Sequence, residues 1–240
     1  MLKSYVAFDL ETTGLDAETE EIIEIGALKV IDGKISDRFM EFVKPEKSIS
    51  EKITQITGIT NEMVEHARNI EEVIRDFHSF CADHILIGHN IMFDYKFCKR
   101  FSNKYGYVFE KKGIDTLKIA RTIHKDMESK SLGALCEHYQ IINHAAHRAY
   151  YDALATAKLY QTMAHYYEEQ QPKLFVPENL FYKPKKVQPI TAKQKEFLKA
   201  LCQKYKLNEI DNVNDFTRSE ASKKIDEILS TYGYQTSNHE

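Results

Sequence analysis

Two apolar runs at residues 22–30 and 35–43 flank Asp32-Gly33, the dipeptide most typical of a tight hairpin, and this arrangement limits the fold more than any other feature. Both runs are read as antiparallel strands. Ahead of them Tyr5-Val6-Ala7-Phe8 is a short apolar run that reads as a buried strand. It ends in Asp9-Leu10-Glu11-Thr12-Thr13-Gly14, a polar segment closing on a turn glycine, so the strand delivers Asp9 and Glu11 to its end. Three strands therefore precede the first long helix.

Past the hairpin the spacing turns helical. Residues 51–80 show helical periodicity, with Thr60 followed three positions on by Met63, and a second helix opens near Asn69 with Glu71 and Glu72 in its first turn. Residues 85–87 are a short buried strand leading through Gly88-His89-Asn90 into a helix over 91–105, which puts Asp94 in its first turn. Residues 114–116 read as a last short strand, followed by helices near 116–126 and 131–139, the second with Ser131 as N-cap. From 148 to 168 an Ala/Tyr/Leu-rich stretch has helical spacing, with His147 at its entrance and Asp152 one turn inside. The pattern is that of an α/β domain over residues 1–170.

Residues 171–189 hold four of the five prolines (172, 177, 184 and 189) with several lysines, and read as an extended linker. Helical spacing then resumes over 190–229, with Thr191 as N-cap, an apolar stripe at Phe197, Leu198, Leu201 and Cys202, and a second helix over 219–229. Residues 190–240 are thus a small helical module, of a size at which independent stability is slight, and a candidate for nucleic-acid or partner binding. A chain of 240 residues, 42% apolar, has room for one full α/β domain plus such an appendage.

The start of the chain runs straight into the first strand, leaving no room for a cleaved signal peptide, and no apolar run approaches the ~20 residues of a membrane span. A cytoplasmic protein with no membrane partner is expected. Cys81, Cys98, Cys136 and Cys202 are widely spaced without a CxxC pair, and read as core thiols rather than a zinc site or disulfide framework. The net charge of −3 conceals an asymmetry: residues 171–206 carry nine lysines against Glu178 and Glu196, a balance of +7, so the remainder sums to −10. An acidic body with a basic tail suits a protein whose body holds cations and whose tail meets phosphate.

Asp9 and Glu11, two apart on a strand, share one face. Asp94 and Asp152 come from the starts of two helices. Gathered at one point, four carboxylates would repel by as much as ~4 kcal/mol per pair at 4 Å and an effective dielectric of 20, so the set makes sense around cations. All-oxygen ligands select Mg²⁺ or Mn²⁺ over zinc. Two such ions about 3.5–4 Å apart activate water on one side of a phosphodiester and stabilise the leaving oxygen on the other. His147, five residues before Asp152, is the candidate base, since an imidazole pKa near 6.5 suits that role.

Asp9-Leu10-Glu11-Thr12-Thr13-Gly14, Gly88-His89-Asn90-Ile91-Met92-Phe93-Asp94 and His147-Arg148-Ala149-Tyr150-Tyr151-Asp152-Ala153 resemble, in order, the three motifs of the DEDDh, or DnaQ-like, 3′→5′ exonuclease family. The resemblance covers residues 3–167. It implies an RNase H-like fold, a mixed five-stranded sheet flanked by helices whose first three strands are antiparallel. It implies that Asp9, Glu11 and Asp152 hold the tighter of two divalent cations, that Asp9 bridges to the second, that Asp94 serves the second partly through water, and that His147 is the general base. Thr12, Thr13, Gly14 and Leu15 would line the terminal nucleotide. His89 and Asn90 belong to the second motif. Ile56-Thr57-Gly58-Ile59-Thr60 resembles the family's loop at that nucleotide, with Thr57 where histidine is common. The implied substrate is a single-stranded nucleic-acid 3′ end, DNA ahead of RNA, and the implied partner a DNA polymerase or other replication or repair protein.

Three other readings compete. An exoribonuclease would use the same motifs, because the sugar is distinguished by 2′ contacts that no motif here fixes. A catalytically inactive nucleic-acid-binding module is disfavoured by five filled catalytic positions. A haloacid dehalogenase-type phosphatase wants aspartate where Glu11 stands and leaves His147 and Asp152 unexplained. His144 and His147 make an HxxH pair, but no CxxC or second HxxH accompanies it to finish a zinc site.

Overall fold

A computed structural model describes residues 1–143, 145–184, 188–208, 210 and 212–233. His144, Lys185 and Lys186 from the sequence reading lie outside the described residues, as do positions 234–240 of the module. The chain divides into two compact units, Met1–Pro184 and Lys185–Glu240.

The first unit is built on β1 (Tyr5–Thr12), β2 (Ile22–Ile31) and β3 (Lys34–Phe42), paired antiparallel. Asp32 and Gly33 take φ values of 50° and 80° in a two-residue turn, the geometry that the dipeptide announced. β4 (Leu86–Gly88) lies parallel to β1, and β5 (Lys112–Asp115) parallel to β4. A sixth strand, β6 (Glu178–Asn179), closes the edge antiparallel to β5, giving the order β3-β2-β1-β4-β5-β6. The expected sheet had five strands. β6 is two residues long, too short for side-chain alternation to show, and it lies in the segment read as linker. Pro172–Phe175 also form a 3-10 turn, so the proline-rich stretch begins packed on the first unit.

Alternation along β1 assigns the two faces. Val6, Phe8 and Leu10 join the core under α3 (Ile70–Cys81) and α4 (Met92–Lys104). Tyr5 and Ala7 face the other way, into a core with Leu159, Tyr160 and Met163 of α7 (Ala149–Tyr167). Asp9 and Glu11 continue the odd-numbered, α7-facing row. α7 is apolar nearly all round because α5 (Thr116–Ile123) and α6 (Leu132–His138) cover its outer side. α1 (Glu51–Thr57) and α2 (Asn61–Val64) precede α3 and bring Ile53 and Val64 to a smaller core around Ile23 and Ile59. Thr60, Asn69 and Ser131 cap their helices through side-chain oxygens, as their positions predict.

The second unit contains α8 (Ala192–Tyr205) and α9 (Arg218–Tyr232) around a small core of Ile190, Leu198, Leu201, Ala221 and Ile228. All four cysteines are buried and free, and burial pushes the Cys81 thiol up to about 12. Among the described residues no helix is long and apolar enough to cross a membrane.

Candidate active site

β1 carries Asp9 and Glu11 toward the N-terminus of α7, and the approach depends on β2. Asp9 pairs with Gly26 across the ladder, and a Cβ on Gly26 would stand 1.9 Å from the Tyr150 nitrogen and 2.1 Å from the Ala149 carbonyl carbon. The missing side chain lets the first turn of α7 rest directly on the sheet beside Asp9. Two residues along, Glu24 pairs with Glu11. Its buried carboxylate accepts from the Arg148 guanidinium (2.9 Å and 3.2 Å) and from the Ala149 backbone N–H (3.1 Å). Glu24 thereby satisfies one of the free N–H groups that begin α7 and fixes that end laterally.

Within the fixed turn, Asp152 is buried and held on both oxygens: the Asn143 amide donates at 2.6 Å and the His147 backbone N–H at 2.9 Å. To offer that amide His147 takes φ 63°. Glu11, His147 and Asp152 each present one ligand atom within 4.8 Å of the others, the one such group among the described residues. Asp94 reaches the site from the other side of the sheet, where its Oδ1 accepts from the Leu10 N–H at 3.1 Å between Asp9 and Glu11.

The electrostatics of this convergence are unfavourable without a cation. Burial, then the charges of Asp94, Asp152, Glu11 and Glu24, holds Asp9 well above the usual carboxylate range. Burial, then Asp152 and Glu24, pushes Glu11 up to about 8, against the pull of Arg148. Asp94 is likewise raised well above its ordinary value by burial, and Asp152 is raised by burial despite its two hydrogen bonds. Four clustered hard-oxygen donors with raised pKa values fit a divalent cation, which would displace their protons.

The remaining sequence candidates divide in two. Leu15 is 87% exposed, and Asn90, at φ 65°, is exposed too. The loop under Leu15 is built by its neighbours: Thr12 Oγ1 donates to the Gly14 carbonyl (2.8 Å), Thr13 Oγ1 donates to Glu20 (2.8 Å), and Arg100 donates to the Glu20 carbonyl (2.8 Å). His89 and Thr57, by contrast, spend their side chains inside the protein. The His89 ring nitrogens engage Thr116 Oγ1 (2.9 Å) and the Lys130 carbonyl (3.0 Å), while the Asn90 N–H donates to Asp115 (2.9 Å), which pins the turn that starts α4 and aims Asp94. The Thr57 hydroxyl donates to the Ile53 carbonyl (3.0 Å) and accepts from the Ile59 N–H (3.1 Å), finishing α1. Sequence reasoning passed over Glu24, Gly26, Asn143 and Arg148. A signal for the first was present, since a lone glutamate in the run Ile22-Ile23-Glu24-Ile25 is out of place in a buried strand unless it is paired.

The family model described as exonuclease, RNase T, matches residues 6–160. The PolC-type DNA polymerase III of Thermotoga petrophila is 42% identical over 158 residues, covering 65% of this chain and 12% of that protein. Its Bacillus subtilis counterpart is 40% identical over 159 residues, covering 65% and 11%. The chain therefore spans only about a tenth of the length of these curated relatives. Among solved structures, an exonuclease X in complex with 5′ overhanging duplex DNA superposes with a TM-score of 0.57 at 27% identity, over 72% of this chain and 99% of that one. Escherichia coli exonuclease I in complex with a dA16 oligonucleotide shares the fold, with a TM-score of 0.62 at 18% identity over 72% and 42% of the two chains. With its three motifs gathered at one end of β1, this chain belongs to the DnaQ-like exonuclease family, whose members use divalent metal ions.

Proposed function

We propose that the first unit removes nucleoside monophosphates from the 3′ ends of DNA strands. In this reading Asp9, Glu11, Asp94 and Asp152 hold two divalent cations, Mg²⁺ or Mn²⁺, and His147 is the base. The observation that carries it is the meeting of four carboxylates from β1, α4 and α7, each raised in pKa by burial first and by neighbouring carboxylate charge second, beside one imidazole.

Bound there, the cations would supply charge balance and Lewis acidity at the scissile phosphate. His147 takes the proton of the attacking water, and its backbone bond to Asp152 keeps the imidazole in register with that carboxylate. Glu24 and Arg148 hold the turn that carries both. Exposed Leu15 and Asn90, with the backbone at Thr12, Thr13 and Gly14, form the rim against which the terminal nucleotide rests. His89 and Thr57 contribute from beneath, by fixing backbone. DNA is favoured over RNA because the relatives at about 40% identity are DNA polymerases and the similar solved exonucleases are bound to DNA. A DNA polymerase or another replication or repair protein is the partner class that goes with those relatives, and a cytoplasmic location goes with that partner.

The test is a 5′-labelled single DNA strand with Mg²⁺ or Mn²⁺, run beside the same strand in RNA. A ladder shortening stepwise from the 3′ end and abolished by chelation is expected, faster on DNA. A circular strand cut as fast as a linear one would instead mean an endonuclease.

A further inference from the structure

The second unit brings the starts of its two helices together. The Ile190 N–H donates to the Phe216 carbonyl and the Arg218 N–H to the Gln188 carbonyl, both at 2.8 Å. The Gln194 amide donates to the Arg218 carbonyl (2.9 Å) and to Ser222 Oγ (3.0 Å). At the far ends Tyr205 stacks on Tyr232 with ring centroids 5.8 Å apart. α8 and α9 therefore run parallel, and their inward faces are consumed by the shared core.

What α8 leaves outward differs sharply from what α9 does. From Ala192 to its C-cap Lys206, α8 bears Lys193, Lys195, Lys199, Lys204 and Lys206 against Glu196 alone. Over α9, Arg218, Lys223 and Lys224 are matched by Glu220, Asp226 and Glu227. Lys193, Phe197, Ala200 and Lys204 recur at helical spacing and are all exposed, with Phe197 47% open to solvent. A separate groove of about 460 Å³ lies on another side of α8, touched by none of these four residues, and its lining mixes apolar Leu207, Ile210 and Val213 with Lys195, Lys199, Lys206 and Glu196.

We infer that α8 is a binding surface for single-stranded nucleic acid, with its lysines on phosphates and Phe197 on unstacked bases. Cations and flat apolar surface alternate along one exposed line, which matches a ligand that alternates anionic linkages with flat apolar rings. A duplex keeps its bases stacked and paired, and offers Phe197 nothing. The purpose of the surface, retaining the strand whose end is trimmed, rests on the exonuclease reading. The binding itself does not.

The experiment measures affinity of the full chain for a long labelled oligothymidylate, in chelator, across several salt concentrations. Each phosphate contact on a single strand contributes about −0.7 to the salt slope, so Lys193→Gln/Lys199→Gln/Lys204→Gln should flatten it by about 2. Phe197→Ala should weaken binding by about 10-fold and leave the slope unchanged, because stacking releases no counterions. Ala200→Glu, which keeps every lysine and sets a repelling charge mid-face, should weaken binding as well. Lys223→Gln/Lys224→Gln on α9 is the control for net charge. An unchanged slope in the α8 triple variant, or an equal change in the α9 control, overturns the assignment. So would an acidic phenylalanine-bearing peptide that loses binding in the triple variant while oligothymidylate does not, which would give this face to a protein. Since no cleavage is read, an inactive nuclease would still show the slope, and an active one without it would sink only the role of α8.

Discussion

His147 occupies the left-handed region at φ 63°, where the Cβ of a non-glycine residue costs on the order of 1–2 kcal/mol. The conformation turns its amide back onto Asp152 while its ring stays with Glu11 and Asp152, so one residue ties the loop to the helix and offers a base. The two uses separate on substitution. Asparagine enters the left-handed region more readily than other side-chain-bearing residues. His147→Asn should therefore fold with an unchanged melting temperature and bind divalent metal, yet lose turnover by roughly 10²–10⁴-fold, the usual contribution of a positioned base. Single-turnover rates on labelled DNA and calorimetric metal titration read the two effects independently. A rate within a few-fold of wild type would show that another group deprotonates the water.

At the scale of elements, the site is the place where β1, α4 and α7 meet, and Gly26 sets how near α7 comes. A methyl there has no room: its nearest neighbours are the backbone of Ala149 and Tyr150, which cannot rotate aside as a side-chain tip would. Gly26→Ala should displace the first turn of α7, cost more than the about 1–3 kcal/mol of ordinary overpacking, and lower metal affinity together with stability. Denaturant melts and metal titration of the same variant test this, and wild-type affinity in a stable Gly26→Ala protein would detach the contact from the site. The contrast between Gly26 and Asp9 shows what sequence can carry. Hydrophobic period reports which face of an element is buried, and so β1, the Asp32-Gly33 hairpin, the start of α4 and the length of α7 were all legible. Period does not report what comes to lie on that face. Nothing local to Gly26 says that a helix N-terminus will press on it, nothing local to Thr57 or His89 says that their polar atoms will be used internally, and a two-residue strand such as β6 has no period to read. The motif acids were legible because each breaks an apolar pattern at a strand end or a helix start, a signal that Glu24 also gave.

Across the whole molecule the site opposes stability in a way that pH exposes. Glu11 is raised from 4.5 to about 8, and Asp9, Asp94 and Asp152 are raised as well, so between pH 4.5 and 8 these groups hold more protons in the folded metal-free chain than in the unfolded one. Stability from these groups is fully present below their unfolded pKa values and is lost as pH rises through the folded ones. Metal-free protein should therefore melt at progressively lower temperature from pH 5 to pH 8.5. A divalent cation reverses the trend, because its binding displaces those protons and is itself favoured as pH rises. At a concentration about 100 times its dissociation constant it adds about 2.7 kcal/mol, or on the order of 5–10 °C for a chain of this size. The increment should grow with pH and be small at pH 5. Asp9→Asn removes the most crowded charge, so it should raise the metal-free melting temperature at pH 8 while abolishing both the metal increment and nuclease activity. The measurement is a set of melts across pH with chelator, Mg²⁺ and Mn²⁺, on wild type and Asp9→Asn. A metal increment that shrinks as pH rises, or an Asp9→Asn protein less stable than wild type in chelator at pH 8, would mean that the carboxylates are balanced by something other than a cation. The four acids would then have to be reconsidered as a structural network.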